Sequence, residues 1–361
     1  MKKRLMGLLG TLMMVMVIFA GCTTPSMQST NSTDEMAPTE NTGNELTHLK
    51  VAVMPMQISA PVYYAKEMKL DKEYGLDIEL VLFSSGATMN EALASNEYDV
   101  APIGGAGIFG VANYDGIYIA DYQYLTGGDA IFAQKGSEAL NATGSNPTYP
   151  DIKGSAETVK GSTILYTPGT TSQMLVSKWL TALGIGSDEV NLLGMEYAQT
   201  LQAFEAGEAD FACMCSPYIF SADDAGYERV ADIETLDMIN VHSIMATRSA
   251  YENKKEALAD FVNMIYDANE QMMSDWDTYT EWVKKWYETN GAEITDEDVD
   301  RECEIKKYVG WDDIDEVEYG AYHKEYAEFF VSLEQLTADQ VKTVEDNTVT
   351  DILELAKTRR K

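Results

Sequence analysis

Two stretches of this chain nearly repeat one another, Glu91-Ala-Leu-Ala-Ser-Asn-Glu-Tyr-Asp-Val-Ala101 and Gln202-Ala-Phe-Glu-Ala-Gly-Glu-Ala-Asp-Phe-Ala212, at a distance of 111 residues. Each reads as an apolar helix end, a turn carrying Glu97 or Glu208, an aspartate (Asp99 or Asp210), and a short apolar run suited to a buried strand. Upstream, residues 51–54 answer to 163–166 and residues 78–83 to 190–195, now 112 residues apart. A strand, helix and strand module has therefore been built twice. The pattern predicts two βαβαβ units in tandem, and hence two similar α/β lobes.

In open parallel α/β sheets, ligands bind beyond the carboxyl ends of the strands, where helix N-termini present unpaired amides. Those ends can be located in both halves. In the first they are Met56-Gln57-Ile58-Ser59, Ser84-Ser85-Gly86-Ala87-Thr88 and Gly104-Gly105-Ala106. In the second they are Pro168-Gly169-Thr170-Thr171-Ser172, Met195-Glu196-Tyr197-Ala198 and Cys215-Ser216-Pro217-Tyr218. Taken singly, Ser59, Ser85, Thr170 or Thr171 is explained by helix capping, worth about 1 kcal/mol. Six such loops brought face to face by a duplication form a ligand cleft. The ligand-binding candidates are Gln57, Ile58, Ser59, Ser85, Gly86, Ala87, Gly105, Ala106, Asp129, Gly169, Thr170, Thr171, Tyr197, Ser216 and Tyr218.

Neither set of loops contains Lys or Arg. An anionic group would then be held by backbone amides and helix dipoles. Glu196 and Asp129, with Tyr63, Tyr64, Tyr197 and Tyr218 about the cleft, suit an amine or a heteroaromatic donor equally well. Arg248 reads as one half of a surface ion pair.

At 361 residues and 45% hydrophobic content the chain can fill two ordinary lobes. Its formal charge of −33 repels phosphate at long range and excludes nucleic acid as a partner. The basic start Met1-Lys2-Lys3-Arg4, the apolar run over residues 5–19 and the small pair Ala20-Gly21 before Cys22 form an export signal. Residues 23–47, rich in Ser, Thr, Asn, Pro and Glu, read as a flexible tether. The expected organisation is a signal peptide over 1–21, a tether over 22–47, one lobe from 48–130 plus 246–361, and a second lobe from 131–245.

Gly105-Ala106-Gly107-Ile108-Phe109-Gly110 matches GxGxxG after an apolar strand. Only six residues separate Gly110 from the next strand at Ile117, too few for the usual crossover helix, and no acidic residue follows at the distance a ribose contact needs. A glycine-rich turn is the better reading. Cys213, Cys215 and Cys303 are an odd number in the mature chain and suggest no disulfide framework. The histidines His48, His242 and His323 stand in no HExxH or C-x-x-C setting. No metal or cofactor is expected, and no nucleophile elbow or Walker loop appears.

Leu49-Lys-Val-Ala-Val53, Pro61-Val-Tyr-Tyr-Ala65 with Tyr74-Gly75-Leu76, Phe83-Ser-Ser-Gly86, residues 91–101 followed by Gly104-Gly105, Lys160-Gly161, Gly169-Thr170 and Gly184 resemble the solute-binding lipoproteins of ABC importers. The group includes the nitrate, sulfonate and taurine binders and the binders of thiamine-pyrimidine precursors, and the resemblance spans about residues 49–266. It implies a type II periplasmic-binding fold of two lobes joined by two hinge crossings, placed near residues 127–133 and 240–246, with a helical C-terminal extension. Phe19-Ala-Gly-Cys22 resembles the bacterial lipobox, which implies a lipid on Cys22 and an extracytoplasmic, membrane-anchored protein. The implied partners are a small polar solute and an ABC permease with its ATPase, the protein itself being a monomer and not an enzyme. A heteroaromatic or amine solute, such as a thiamine-pyrimidine precursor, is the alternative ligand. An enzyme similar to the pyrimidine synthase, whose cysteine-rich loop Cys213-Met-Cys215 faintly resembles, is the alternative of another class.

In the tail, Ala257, Phe261, Met264 and Ile265, then Tyr279, Trp282, Val283 and Trp286, then Tyr319, Tyr322, Tyr326, Phe329 and Phe330 recur at helical spacing. Helices packed on the first lobe are expected throughout.

Overall fold

The structure, a computed structural model, describes residues 46–238, 240–314 and 318–360. The expected leader, Cys22 and all but the last two residues of the tether lie outside the described residues. The strands are β1 (Thr47–Val53), β2 (Leu76–Leu82), β3 (Val100–Ile103), β4 (Ile117–Leu125), β5 (Asp129–Ala133), β6 (Thr163–Tyr166), β7 (Asn191–Gly194), β8 (Phe211–Cys215), β9 (Glu228–Asp232), β10 (Asn240–Ala246) and β11 (Lys306–Tyr308). Thr47, placed in the tether by the sequence, opens β1.

They form two separate sheets, one of six strands in the order β11-β4-β10-β3-β1-β2 and one of five in the order β7-β6-β8-β5-β9. The duplication accounts for both. β2-β1-β3 and β7-β6-β8 are the same parallel ribbon, with β1 paired to β2 from Thr47 opposite Leu76 to Val53 opposite Leu82, and β6 to β7 from Thr163 opposite Asn191 to Tyr166 opposite Gly194. Each ribbon then receives an antiparallel strand on the β3 or β8 side. That strand is β10 in the larger sheet and β5 in the smaller.

The repeated aspartates explain part of this likeness. The Asp99 carboxylate accepts from Lys50 N–H at 2.8 Å, and the Asp210 carboxylate accepts from Thr163 N–H at 2.8 Å. Each thus pins the first strand of its half, at mid-strand in β1 and at the start of β6, to the strand that follows the aspartate. A second duplicated bond closes the loop beyond that strand. Ser59 Oγ accepts from Met54 N–H at 2.9 Å, and Ser172 Oγ from Thr167 N–H at 3.2 Å.

Two points depart from the sequence reading. The first link between sheets is residues 126–128, since β5 starts at Asp129, and the return passes through residues 233–238, because all of β10 pairs within the larger sheet. Crossings at 127–133 and 240–246 are therefore corrected: both stretches are largely strand. The tail is also not helical throughout. Helices Lys255–Met272, Trp276–Thr289 and Ala321–Ser332 carry the expected apolar faces, but β11 adds a short antiparallel strand beside β4, Lys306 lying opposite Leu125. An eight-residue helix, Gly107–Tyr114, does follow β3, yet the next strand β4 is kept apart from β3 by β10, which is not the geometry of a dinucleotide crossover.

The larger core gathers the inner faces of β1, β3, β4 and β10 with the tail helices around Phe261, Ile265 and Tyr266, all fully buried. The smaller sheet has a core on each face. Trp179 stacks edge-on to Phe211 at 5.1 Å on one face, and Phe204 meets Phe132 and Met214 on the other. Among the described residues no helix is long and apolar enough to cross a membrane.

Candidate functional site

The carboxyl ends of the parallel strands in the two sheets enclose a cavity of about 60 Å³. One water needs roughly 10–15 Å³ on this measure, so the space suits a compact molecule of a few heavy atoms. The loop after β1 supplies Met54, Met56 and Ile58, that after β3 supplies Gly104, Gly105 and Ala106, and Gly86 opens the helix after β2. From the smaller half come Thr170 and Thr171 at the start of helix Thr171–Ala182, Tyr197 at the start of helix Tyr197–Glu205, Cys215 at the end of β8 and Ser216 just beyond it. Gly128 and Asp129 form the wall where the chain passes between sheets.

The two halves meet closely around it. A methyl on Gly105 would come within 2.9 Å of Thr171 Oγ1, and Ser85 Oγ lies 3.5 Å from a Glu196 carboxylate oxygen. Farther out, Arg301 reaches Asp223 at 3.2 Å and Asp224 at 3.1 Å across the seam. The conformation is closed.

Nine of the residues singled out from the sequence line the cavity: Ile58, Gly86, Gly105, Ala106, Asp129, Thr170, Thr171, Tyr197 and Ser216. The others stand outside its lining, for identifiable reasons. Gln57 is turned into the tail, where its side chain donates to Tyr279 OH at 2.9 Å and accepts from Gln123 at 2.7 Å. Ser59 is used by the loop bond to Met54, and Ser85 accepts from Thr88 N–H at 3.4 Å as the N-cap of helix Gly86–Leu93. Gly169, at φ +69°, shapes the turn before helix Thr171–Ala182, while Ala87 is the second residue of helix Gly86–Leu93 and Tyr218 the first of helix Tyr218–Asp224. Tyr63 and Tyr64 pack on Trp282 and lie away from the cavity. Arg248 pairs with Asp115 at 2.8 Å, as a surface ion pair should.

Two polar residues of the site were invisible in the loops because neither belongs to a repeat. His242 enters from β10 and Lys306 from β11. Lys306 corrects the expectation of a site without a basic side chain. Its ammonium donates to Ser216 Oγ at 2.6 Å and to Glu302 Oε1 at 2.7 Å, and Glu302 is wholly buried and also accepts from Tyr287 OH at 2.9 Å. Tyr279 OH donates to the Lys306 carbonyl at 2.7 Å, fixing the strand that carries the ammonium.

Burial sets the protonation of the remaining groups. It pushes the Asp129 carboxyl up to about 7, with Lys306 opposing and Glu302 reinforcing the shift. Burial, helped by Lys306, lowers His242 to about 3, so its imidazole is neutral, and His242 Nδ1 has no hydrogen-bond partner among the described residues. Burial raises the Tyr197 phenol and the Cys215 thiol well above their ordinary values. A site of this kind can hold and orient a small polar molecule. It contains no activated nucleophile among the described residues, the thiols being held protonated.

A family model described as the NMT1-like family matches residues 42–284. The chain belongs to the NMT1-like family. A relative from Brachyspira hyodysenteriae, named as an ABC transporter periplasmic binding protein, is 32% identical over 313 residues, covering 87% of this chain and 90% of the relative. Among solved structures, the nitrate-binding protein NrtA of Synechocystis matches with a TM-score of 0.67 at 17% identity, over 87% of this chain and 89% of that one. The aliphatic sulphonate binding protein SsuA of Escherichia coli matches with a TM-score of 0.62 at 18% identity, over 81% and 91%. At such identities these neighbours show that the NMT1-like chain has the fold of periplasmic binding proteins.

Proposed function

We propose that the chain is the solute-binding component of an ABC importer, working outside the cytoplasm, which captures a small polar organic solute between its lobes and hands it to a permease driven by an ATPase. The observation that carries this reading is the cavity itself, lined from both copies of a duplicated module and bordered by the lobe-to-lobe contacts of Ser85 with Glu196 and of Lys306 with Ser216. The Brachyspira relative named as an ABC transporter periplasmic binding protein supports the same role. Nitrate and sulphonate, named for NrtA and SsuA, indicate the size and polarity of the solute. Binding closes the lobes about the links at residues 126–128 and 233–238, and the closed form docks. A lipid on Cys22 would anchor the protein to the membrane, with the protein acting as a monomer. No bond is made or broken. Neutral buried thiols support a binder over the pyrimidine-synthase-like alternative.

A thermal-shift screen of the mature chain against sulfonates, nitrate, carboxylates, amines and pyrimidines tests this. A true solute at 100 times its Kd stabilises by about 2.7 kcal/mol. A flat response to all of these classes would refute the reading.

A further inference from the structure

Asp129 is 6% exposed, lines the cavity, and its carboxylate has no hydrogen-bond partner among the described residues. A buried carboxylate left in that condition is costly unless a donor arrives to meet it. The other charges do not supply one. Lys306 is already committed to Glu302 at 2.7 Å and to Ser216 at 2.6 Å. With Asp129 ionised, the one positive and two negative side chains leave the site one negative charge in excess. A monovalent anion would raise that excess, a zwitterion would leave it unchanged, and a monovalent cation would cancel it.

We propose that the captured solute carries a protonated amine, which Asp129 receives. This rests on the solute-binding reading above and narrows it to a chemical class. The cavity wall fits the assignment. Ser216 Oγ, which lines the same cavity, offers a further acceptor beside the carboxylate. The volume of about 60 Å³ confines the group near the amine to a few heavy atoms.

The amine interaction is lost on acidification. The titratable groups facing Asp129 are Lys306 from β11, Glu302 from the helix Asp296–Glu304, His242 from β10, Cys213 and Cys215 from β8, Tyr197, and Tyr326 from the tail. His242 stays neutral down to about 3, and burial holds the tyrosines and thiols neutral, whereas Asp129, raised to about 7, changes charge between pH 6 and pH 8.

The test uses the mature chain and matched probes in calorimetry: ethanolamine, taurine and β-alanine against ethanesulfonate, propionate and nitrate. The expected result is that the amines bind at least tenfold more tightly than their amine-free counterparts, and that Asp129→Asn removes this preference. In the unmutated protein, amine affinity should fall roughly tenfold between pH 8 and pH 6, as Asp129 takes up its proton. This arm holds even if the variant folds poorly. Binding of the amine-free anions as tight as that of the amines, or amine binding that strengthens on acidification, overturns the amine assignment and leaves the solute-binding role standing. A panel in which no member binds overturns both.

Discussion

Lys306 Nζ stands 2.6 Å from Ser216 Oγ, so the last strand of the larger sheet is tied directly to the loop beyond β8 in the smaller. The same ammonium is paired at 2.7 Å with Glu302, which has no exposure to solvent. One side chain therefore neutralises a buried acid, lines the cavity and bridges the halves.

Removing it should reveal the first of these roles most strongly. Lys306→Met leaves Glu302 buried without its cation, and breaking a buried pair in this way costs about 3–5 kcal/mol. Urea denaturation of Lys306→Met should show a loss of that order. Adding Glu302→Gln should restore most of it, and an unchanged double variant would mean the pair is not the cause.

The duplicated loop bonds should behave as twins. Ser59→Ala frees the buried Met54 N–H and Ser172→Ala frees the Thr167 N–H, each expected to cost about 1–3 kcal/mol. They lie in different halves and share no partner, so the double variant should lose the sum within about 0.5 kcal/mol. Chemical denaturation of the four proteins decides this.

Closure should be sensitive to a single methyl. In Gly105→Ala the new carbon falls 2.9 Å from Thr171 Oγ1, which holds the halves apart. Small-angle scattering should report a larger radius of gyration for the variant, with stability little changed. Thr171→Ala removes the obstructing oxygen and should return Gly105→Ala to the compact form.

Two pairs of buried groups should give opposing pH dependences. Burial raises Asp121 and Asp129 to about 7 from the ordinary 3.8, so their contribution is full below about 4 and is lost as pH rises through about 7. Burial lowers His242 and His323 to about 3 from 6.5, so their contribution is full above 6.5 and is lost as pH falls towards 3. The two trends offset each other between these limits. Asp121→Asn, which removes one falling contribution, should make the melting temperature climb more steeply than that of the parent from pH 4 to pH 7.

The repeat made the parallel ribbons, their loops and most of the cavity wall legible, because a copied module must place its loops equivalently. Asp99 and Asp210 were visible as a pair, although the bonds to Lys50 and Thr163 that give them a purpose were not. His242 and Lys306 escaped because each enters from a strand outside the copied unit. Lys306-Lys-Tyr308 is too short to show any periodicity. The loop serines misled for the opposite reason. Ser59 and Ser85 have the composition of ligand donors, but Ser59 braces the loop after β1 and Ser85 caps the helix after β2, and composition does not tell these uses apart.

The exchange of β5 and β10 between the sheets also orders the birth of the molecule. The five-stranded sheet is drawn from one uninterrupted stretch, residues 129–232, whereas the six-stranded sheet waits for residues 240–246 and then 306–308. A chain emerging amino end first can complete its inner lobe while the outer one still presents an open edge at β3. Until β10 zips into place, that edge is where another strand or a chaperone can gain a foothold.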